Sequence, residues 1–296
     1  LAYRLPVKEE FMSDEYPQYF YKYRAINSDL ISKSELEKDY AIDALFNNHA
    51  VFSSRKNFND LFDSKIDFVK PTPKQFKELR CLVNKNRRQE FERCIDKGIF
   101  TEYGHSLIER LVMESNKLFD AYPILSLSKN SKSNLMWAHY SDSHQGFCIE
   151  FKSQYMKADK VEYHGVIQQV KLLDMVRMYF GDPDGEKLSK DIWKALLTKL
   201  NEWKYEEEYR FIGGDSMGGG RIQNGEKILK FPYVTEAVES IIFGCRMDDK
   251  VKKYIAQNLP YKVKLKQAVA GMSSIEIIDS NFTLAARQES SSPQKR

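Results

Sequence analysis

The sequence predicts an α+β fold with a mixed or antiparallel β core and a helical insertion. Three observations lead there. Short runs of aromatic and β-branched residues stand near both ends of the chain. A charged, helix-patterned block at about residues 74–120 separates them. The regular strand–helix alternation of a doubly wound parallel sheet is missing.

The elements follow in order. Residues 1–15 read as a poorly specified leader. Tyr19-Phe20-Tyr21-Lys22-Tyr23-Arg24 is a dense aromatic run and the expected first core strand. Ser34 with Glu37 gives a capping-box signature, and Leu36, Tyr40, Leu45 and Phe46 continue it as a helix that stops at Asn47-Asn48. A short strand is expected at Ala50–Ser53. The stretch Asn57 to Asp63 reads as a polar turn, its Asn and Asp side chains folding back on their own backbone and Phe58 with Phe62 plugging it into the core. Pro71 and Pro73 break the chain before two or three helices between Lys74 and Phe119. Strands are expected at 122–128, 146–151, 161–163, 228–231, 238–243, 261–269 and 274–278. Further helices are expected at 134–140, 187–200 and 248–258. The chain then reads as one domain over residues 16–280 and a flexible tail at 281–296.

Composition narrows the function. With 42% hydrophobic and 13% aromatic residues the chain can bury a sizeable core, which excludes global disorder. A net charge of +4 is too small to imply a nucleic-acid partner, and the best local basic patch is Lys85 to Arg88. Cys81, Cys94, Cys148 and Cys245 form no Cys-x-x-Cys pair, so no zinc or redox motif is expected and no metal site is assigned. No apolar run reaches membrane length and no signal peptide is visible, so a cytoplasmic protein with no membrane partner is expected.

Two stretches are rich in chemistry. In Trp203 to Ile212, a helix or turn hands over to a strand across three glutamates. On an extended chain Glu206, Glu208 and Arg210 share one face and Glu207 points the other way. Such a run is either a solvated edge with a local ion pair or a site whose carboxylates are tuned by Trp203 and Tyr209. In Asn134 to Gly146, Trp137 or Tyr140 would stack on a planar ring, and His139 or His144 would hydrogen-bond it. Taken alone, packing is the favoured reading of Trp137 and Tyr140, since three-residue spacing puts both on one helix face. The glycine-rich Gly213–Gly220 precedes no helix and reads as a flexible hairpin connection, not a phosphate loop.

Four stretches together resemble the bacterial family carried as domain of unknown function 2971. They are Tyr21 to Arg24; Phe58 to Asp63; Met136 to Tyr140 with His144, Gly146 and Cys148 to Phe151; and Trp203 with Glu206, Glu208 and Arg210. The resemblance spans roughly residues 19 to 245, and departs at Leu61, where that family usually has proline. More distantly, Arg24 on the first strand, Ser126-Leu127-Ser128 on a middle strand and Glu206-x-Glu208 late resemble ADP-ribosyltransferases of the Arg–Ser–Glu type. Here leucine replaces the middle threonine of the Ser-Thr-Ser strand.

That resemblance implies a split sheet and an enzyme that consumes NAD, as an ADP-ribosyltransferase or an NAD glycohydrolase. A bacterial toxin or anti-phage defence effector would be its setting, and a protein or nucleic acid its acceptor. It implies that Glu208 stabilises the oxocarbenium-like ribose and Glu206 orients or deprotonates the acceptor. It gives the pyrophosphate to Arg24, with Arg210 as a structural partner of the glutamates or a second phosphate contact. Ser126 or Ser128 would fix the Glu208 rotamer or the ribose, and Tyr23, Trp137 or Tyr140 would stack on nicotinamide, with His139 beside them. Two rival readings remain: a non-enzymatic ligand-binding module with an aromatic–histidine pocket, and a metal-dependent nuclease using Asp60, Asp63 and the late glutamates.

Overall fold

The computed structural model describes residues 16–181, 186–213, 222 and 228–283. Expectations for residues 1–15, for the glycine-rich stretch after Gly213 and for the tail after residue 283 lie outside the described residues. The chain opens with β1 (Tyr19–Arg24), α1 (Ser28–Ser32), α2 (Tyr40–Phe46), β2 (His49–Ser53) and β3 (Ile66–Val69). The charged block holds α3 (Pro73–Glu78), α4 (Arg88–Glu92), the hairpin β4 (Ile95–Asp96) and β5 (Ile99–Phe100), and α5 (Glu102–Asp120). Then come β6 (Ile124–Ser128), α6 (Asn134–Tyr140), β7 (Phe147–Lys152), β8 (Asp159–Lys160), β9 (Glu162–His164) and β10 (Gln168–Lys171). Next are α7 (Leu172–Tyr179), α8 (Glu186–Leu196), β11 (Thr198–Leu200), β12 (Glu208–Ile212) and β13 (Ile228–Pro232). The chain closes with β14 (Val238–Phe243), α9 (Asp249–Asn258), β15 (Lys264–Ala270) and β16 (Ile275–Asp279).

The fold is α+β, built on one large sheet in the order β13-β2-β6-β1-β7-β14-β15-β16, with β12 beside β6 and β8 beside β12. Its pairs are antiparallel except β14 with β15, which α9 connects. The register sorts the sheet into two faces. Phe20, Leu125, Leu127, Phe147, Ile149, Phe151, Tyr209 and Phe211 fall on one, where α2 and α9 cover them in the main core. Tyr21, Ser126, Ser128, Cys148, Glu150, Glu208 and Arg210 fall on the other. Alternation of this kind is what a two-faced antiparallel sheet demands.

One edge of the middle strand is split. β12 pairs with β6 along its whole length. On the opposite edge β2 meets β6 only at Ser53–Ile124, and β1 meets it only at Tyr21–Ser128. Between these two contacts the edge at Leu125, Ser126 and Leu127 is open. The site described below lies at this opening.

The helical block does not close a core by itself. Phe76, Phe91, Leu107, Ile108 and Phe119 pack with Val170, Leu172, Val176, Phe180 and Ala195, so β10, α7 and α8 complete it. Phe76 stacks on Phe91 at 4.8 Å, and Phe180 meets both rings edge-on. Among the described residues, no helix is long and apolar enough to cross a membrane.

Three local expectations are corrected. Ser34 is not a helix cap: it sits at φ 58°, and the buried Asp39 caps α2 by accepting from the Ala41 and Ile42 amides. The helix expected over 187–200 ends at Leu196, because residues 198–200 leave it to pair in parallel with β9. Phe62 does not plug its loop into the core but is 45% exposed.

Candidate functional site

A cleft of about 370 Å³ opens where β1 and β2 part on the edge of β6. A more open groove of about 850 Å³, lined by Phe62, Lys65, Asp67, His164, Val166 and Gln168 among others, lies on another surface. We place the candidate site in the smaller cleft, because the buried ionisable groups converge there.

The glutamates reach the cleft by a route the alternation argument did not foresee. Residues 201–206 form a 3-10 helix, Glu207 follows in the left-handed region at φ 45°, and Glu208 begins β12. The left-handed residue joins the end of the 3-10 helix to the start of β12. Glu206 and Glu208 both turn inward and are 3% and 4% exposed, so neither decorates a solvated edge. Glu207 points away, to Lys129 at 3.0 Å and to the Asn130 amide at 2.9 Å.

Two cations, Lys199 on the cleft wall and Arg210 behind it, hold three carboxylates that line the cleft. The Lys199 ammonium lies 2.6 Å from Glu206, 3.2 Å from Asp63 and 3.3 Å from Glu208. It also sits over the Trp203 ring, 4.9 Å from the centroid. Arg210 donates to both Asp63 oxygens at 2.7 and 2.8 Å and from Nε to Glu208 Oε1 at 2.8 Å. It donates further to Ser64 Oγ and to the Leu196 carbonyl, each at 2.7 Å. Bidentate geometry and full use of the guanidinium fork make this a rigid support.

The two glutamates are pushed apart electrostatically. Burial raises the Glu206 carboxyl, the Glu208 charge raises it further, and Lys199 and Tyr140 only partly compensate, leaving it at about 7. Burial also pushes Glu208 up, but Arg210 and Lys199 outweigh it and hold that carboxyl well below the usual range. Neighbouring carboxylates with separated titrations form a donor and acceptor pair near neutral pH. The Tyr140 hydroxyl donates to Glu206 Oε1, and Asn59 reaches the same hydroxyl from the opposite loop.

The structure brings seven of the ten sequence-expected site residues to the cleft wall: Tyr23, Ser126, Ser128, His139, Tyr140, Glu206 and Glu208. The Ser126 side chain hydrogen-bonds Glu208, and Ser128 Oγ donates to the Glu206 carbonyl at 2.7 Å, so each serine fixes one glutamate. His139 Nδ1 is 2.8 Å from the Tyr205 hydroxyl at the exposed rim.

Three expected residues are placed elsewhere. Trp137 is fully buried, meets Tyr23 edge-on at 5.0 Å and donates to the Ser131 carbonyl, so it anchors α6 and cannot stack on a ligand. Arg210 is fully buried with every donor group engaged, which corrects its expectation as a phosphate contact. Arg24 does not line the cleft, and its guanidinium lies 5.3 Å from the centre of the Tyr40 ring. His144 also stays outside the wall. It ends a left-handed run, Asp142, Ser143 and His144, that ties α6 to the end of β14 through the Arg246 amide.

Sequence reasoning missed Lys199 and Lys22, and named Asp63 only as a turn residue and in the nuclease reading. Local pattern assigns Lys199 to a helix, and residues 63, 199 and 210 meet only through tertiary packing. Lys22 lines the cleft and donates to the Ser126 carbonyl at 2.8 Å. Asp60, part of the nuclease reading, turns back to cap the Phe62 amide. Among the described residues, no group of three or more His, Cys, Asp or Glu side chains could hold a metal ion.

No curated protein and no solved structure matches the chain. Residues 136–211, which run from α6 to β12 and include His139, Tyr140, Lys199, Glu206, Glu208 and Arg210, match the model of a family described as protein of unknown function, DUF2971.

Proposed function

We propose that the cleft binds NAD and breaks its nicotinamide–ribose bond, passing ADP-ribose to water or to a protein or nucleic-acid acceptor. The observation that supports this best is Glu206, a carboxyl at about 7 on a cleft wall beside the ionised, immobilised Glu208. As the C1′–N bond breaks, its electron pair leaves with the nicotinamide nitrogen, which becomes neutral. The ribose carbon becomes oxocarbenium-like. Ionised Glu206 stabilises that charge, and takes the proton from the water or acceptor hydroxyl whose oxygen bonds to C1′.

The roles of the two glutamates are then exchanged relative to the sequence expectation. Glu208 is committed to Arg210 and Lys199 and acts as a positioning residue that keeps the Glu206 carboxyl raised. His139 and Tyr140 supply ring faces at the rim, and Tyr205 extends them. A toxin or an anti-phage effector is the setting that suits such an activity.

The test is nicotinamide release from NAD by the purified chain, with and without protein and nucleic-acid acceptors. Release should rise as pH passes through about 7. It should be lost in Glu206→Gln and kept in Glu207→Gln. No release under any of these conditions, or undiminished release by Glu206→Gln, sinks the proposal. One observation favours a second reading, a non-catalytic nucleotide-binding cleft: Asp63, Lys199, Glu208 and Arg210 are all engaged with one another. That reading predicts stoichiometric nucleotide binding by calorimetry with no product.

A further inference from the structure

We infer that Lys22, not Arg24, is the anion anchor of this cleft, and that it takes the phosphate groups of a nucleotide ligand. The inference rests on the cleft being a nucleotide site, as proposed above, and names the residue that would hold the phosphates. Among the described residues two cations line the cleft, Lys22 and Lys199. Lys199 has carboxylate oxygens of Asp63, Glu206 and Glu208 within 3.3 Å and is neutralised by them. Lys22 has no carboxylate partner at ion-pair distance among the described residues. Its contact in the structure is the neutral Ser126 carbonyl. An ammonium has three donors, so two remain for a ligand.

Topology explains why a lysine on this strand can serve. By alternation Lys22 belongs with Phe20 on the apolar face. A cation on a fully paired strand at that position would be buried among the core rings. β1, however, leaves β6 after the single Tyr21–Ser128 contact, and the open edge at Ser126 lies beside Lys22. Its amine turns into that opening. Arg24 is one alternation further from the split, and its guanidinium stays with the Tyr40 ring outside the cleft. The opposing loop brings only neutral donors, Asn57 and Asn59, to the wall beside the acid Asp63. Phosphate recognition in this cleft therefore depends on Lys22.

The experiment is calorimetric titration of the full chain with ADP and with adenosine, in wild type, Lys22→Gln, Lys22→Arg and Arg24→Gln. A charge-assisted contact to phosphate predicts about tenfold or greater weakening of ADP binding in Lys22→Gln, with adenosine unchanged. Lys22→Arg should keep ADP binding, and Arg24→Gln should keep it within about twofold. Equal ADP affinity in wild type and Lys22→Gln overturns the inference. So does a loss in Arg24→Gln that matches the loss in Lys22→Gln, or a wild type that binds ADP no better than adenosine. If Lys22→Gln fails to fold, Ser53→Asp puts an acid on the facing wall and should weaken ADP and spare adenosine; ADP binding unaffected by that acid overturns the inference. Nicotinamide release measured in parallel separates the two claims. Lys22-dependent ADP binding without release refutes only NAD cleavage, and release with unchanged ADP binding in Lys22→Gln refutes only the anchor.

Discussion

The raised Glu206 carboxyl has a cost that unfolding experiments can read. In the unfolded chain the group returns to its ordinary value of 4.5, whereas in the folded chain it titrates at about 7. That difference corresponds to about 3 kcal/mol between the two protonation states. Below the ordinary value both states carry the proton and no cost arises. As pH rises through 4.5 the unfolded state gives up its proton while the folded state keeps it, so stability falls. The fall is complete once the folded group ionises, above about 7. Glu208 has the opposite sign: its stabilising contribution is present above its ordinary value and disappears only as pH drops through its depressed folded value. It therefore stays out of the near-neutral window. Urea unfolding of wild type and Glu206→Gln from about pH 5 to about pH 8 isolates the effect, because titrations common to both proteins cancel in the difference. The variant should start with an offset from the lost Lys199 partner, then gain about 2.5 kcal/mol on wild type across that range, the rest having been lost below about pH 5. A difference that stays flat with pH, or moves the other way, refutes the raised carboxyl and the acid–base role built on it.

Two more substitutions probe what supports the cleft. Arg210→Met leaves Asp63 and Glu208 buried with Lys199 alone, and breaking such a pair should cost about 3–5 kcal/mol in denaturant unfolding. A loss below about 1 kcal/mol would mean that the network is not the scaffold. Gly244→Ala would put a methyl 2.2 Å from the His144 carbonyl oxygen and 2.7 Å from that of Gly146, so a thermal melt should fall by the equivalent of about 2 kcal/mol or more. Gly165→Ala, whose nearest neighbour would be the Asn201 amide at 3.7 Å, should be neutral within about 0.5 kcal/mol.

Periodicity and turn chemistry made most of the large sheet legible. β1, β7 and β14 are runs of aromatic and β-branched residues, and their hydrophobic alternation fixes which face meets the core. Asp248 announces α9 and does cap it, through the Lys250 amide. The shorter pieces were not legible, for a physical reason. β9 and β11 have three residues each, and their parallel pairing joins positions 36 apart, so nothing local distinguishes Thr198–Leu200 from one more helical turn. The Ser34–Glu37 spacing is as good a cap signature as any local rule gives. Asp39 wins because it is buried and also accepts the Asn27 amide, a bond that exists only once β1 and α2 are docked.

The carboxylate pair was legible in its members but not in its geometry. Alternation put Glu206 and Glu208 on one side of an extended strand; the chain gets both inward with a 3-10 helix and one left-handed residue. Glu207 is therefore more than a bystander whose side chain points away. Its backbone at φ 45° sets the direction from which Glu206 enters the cleft. That conformation costs an L-residue about 1–2 kcal/mol, and a β-branched side chain tolerates it worst. Glu207→Gly should keep the turn and lose only the partly exposed contacts to Lys129 and Asn130. Glu207→Val should force residues 206–208 toward an extended path, swing Glu206 off Lys199 and Tyr140, and abolish the near-neutral pH dependence of stability without touching either carboxylate. Unfolding curves of the two variants across the same pH range decide it. If valine behaves like glycine there, the left-handed turn does not position Glu206, and the convergence of the pair must be held by Lys199 and the serines alone.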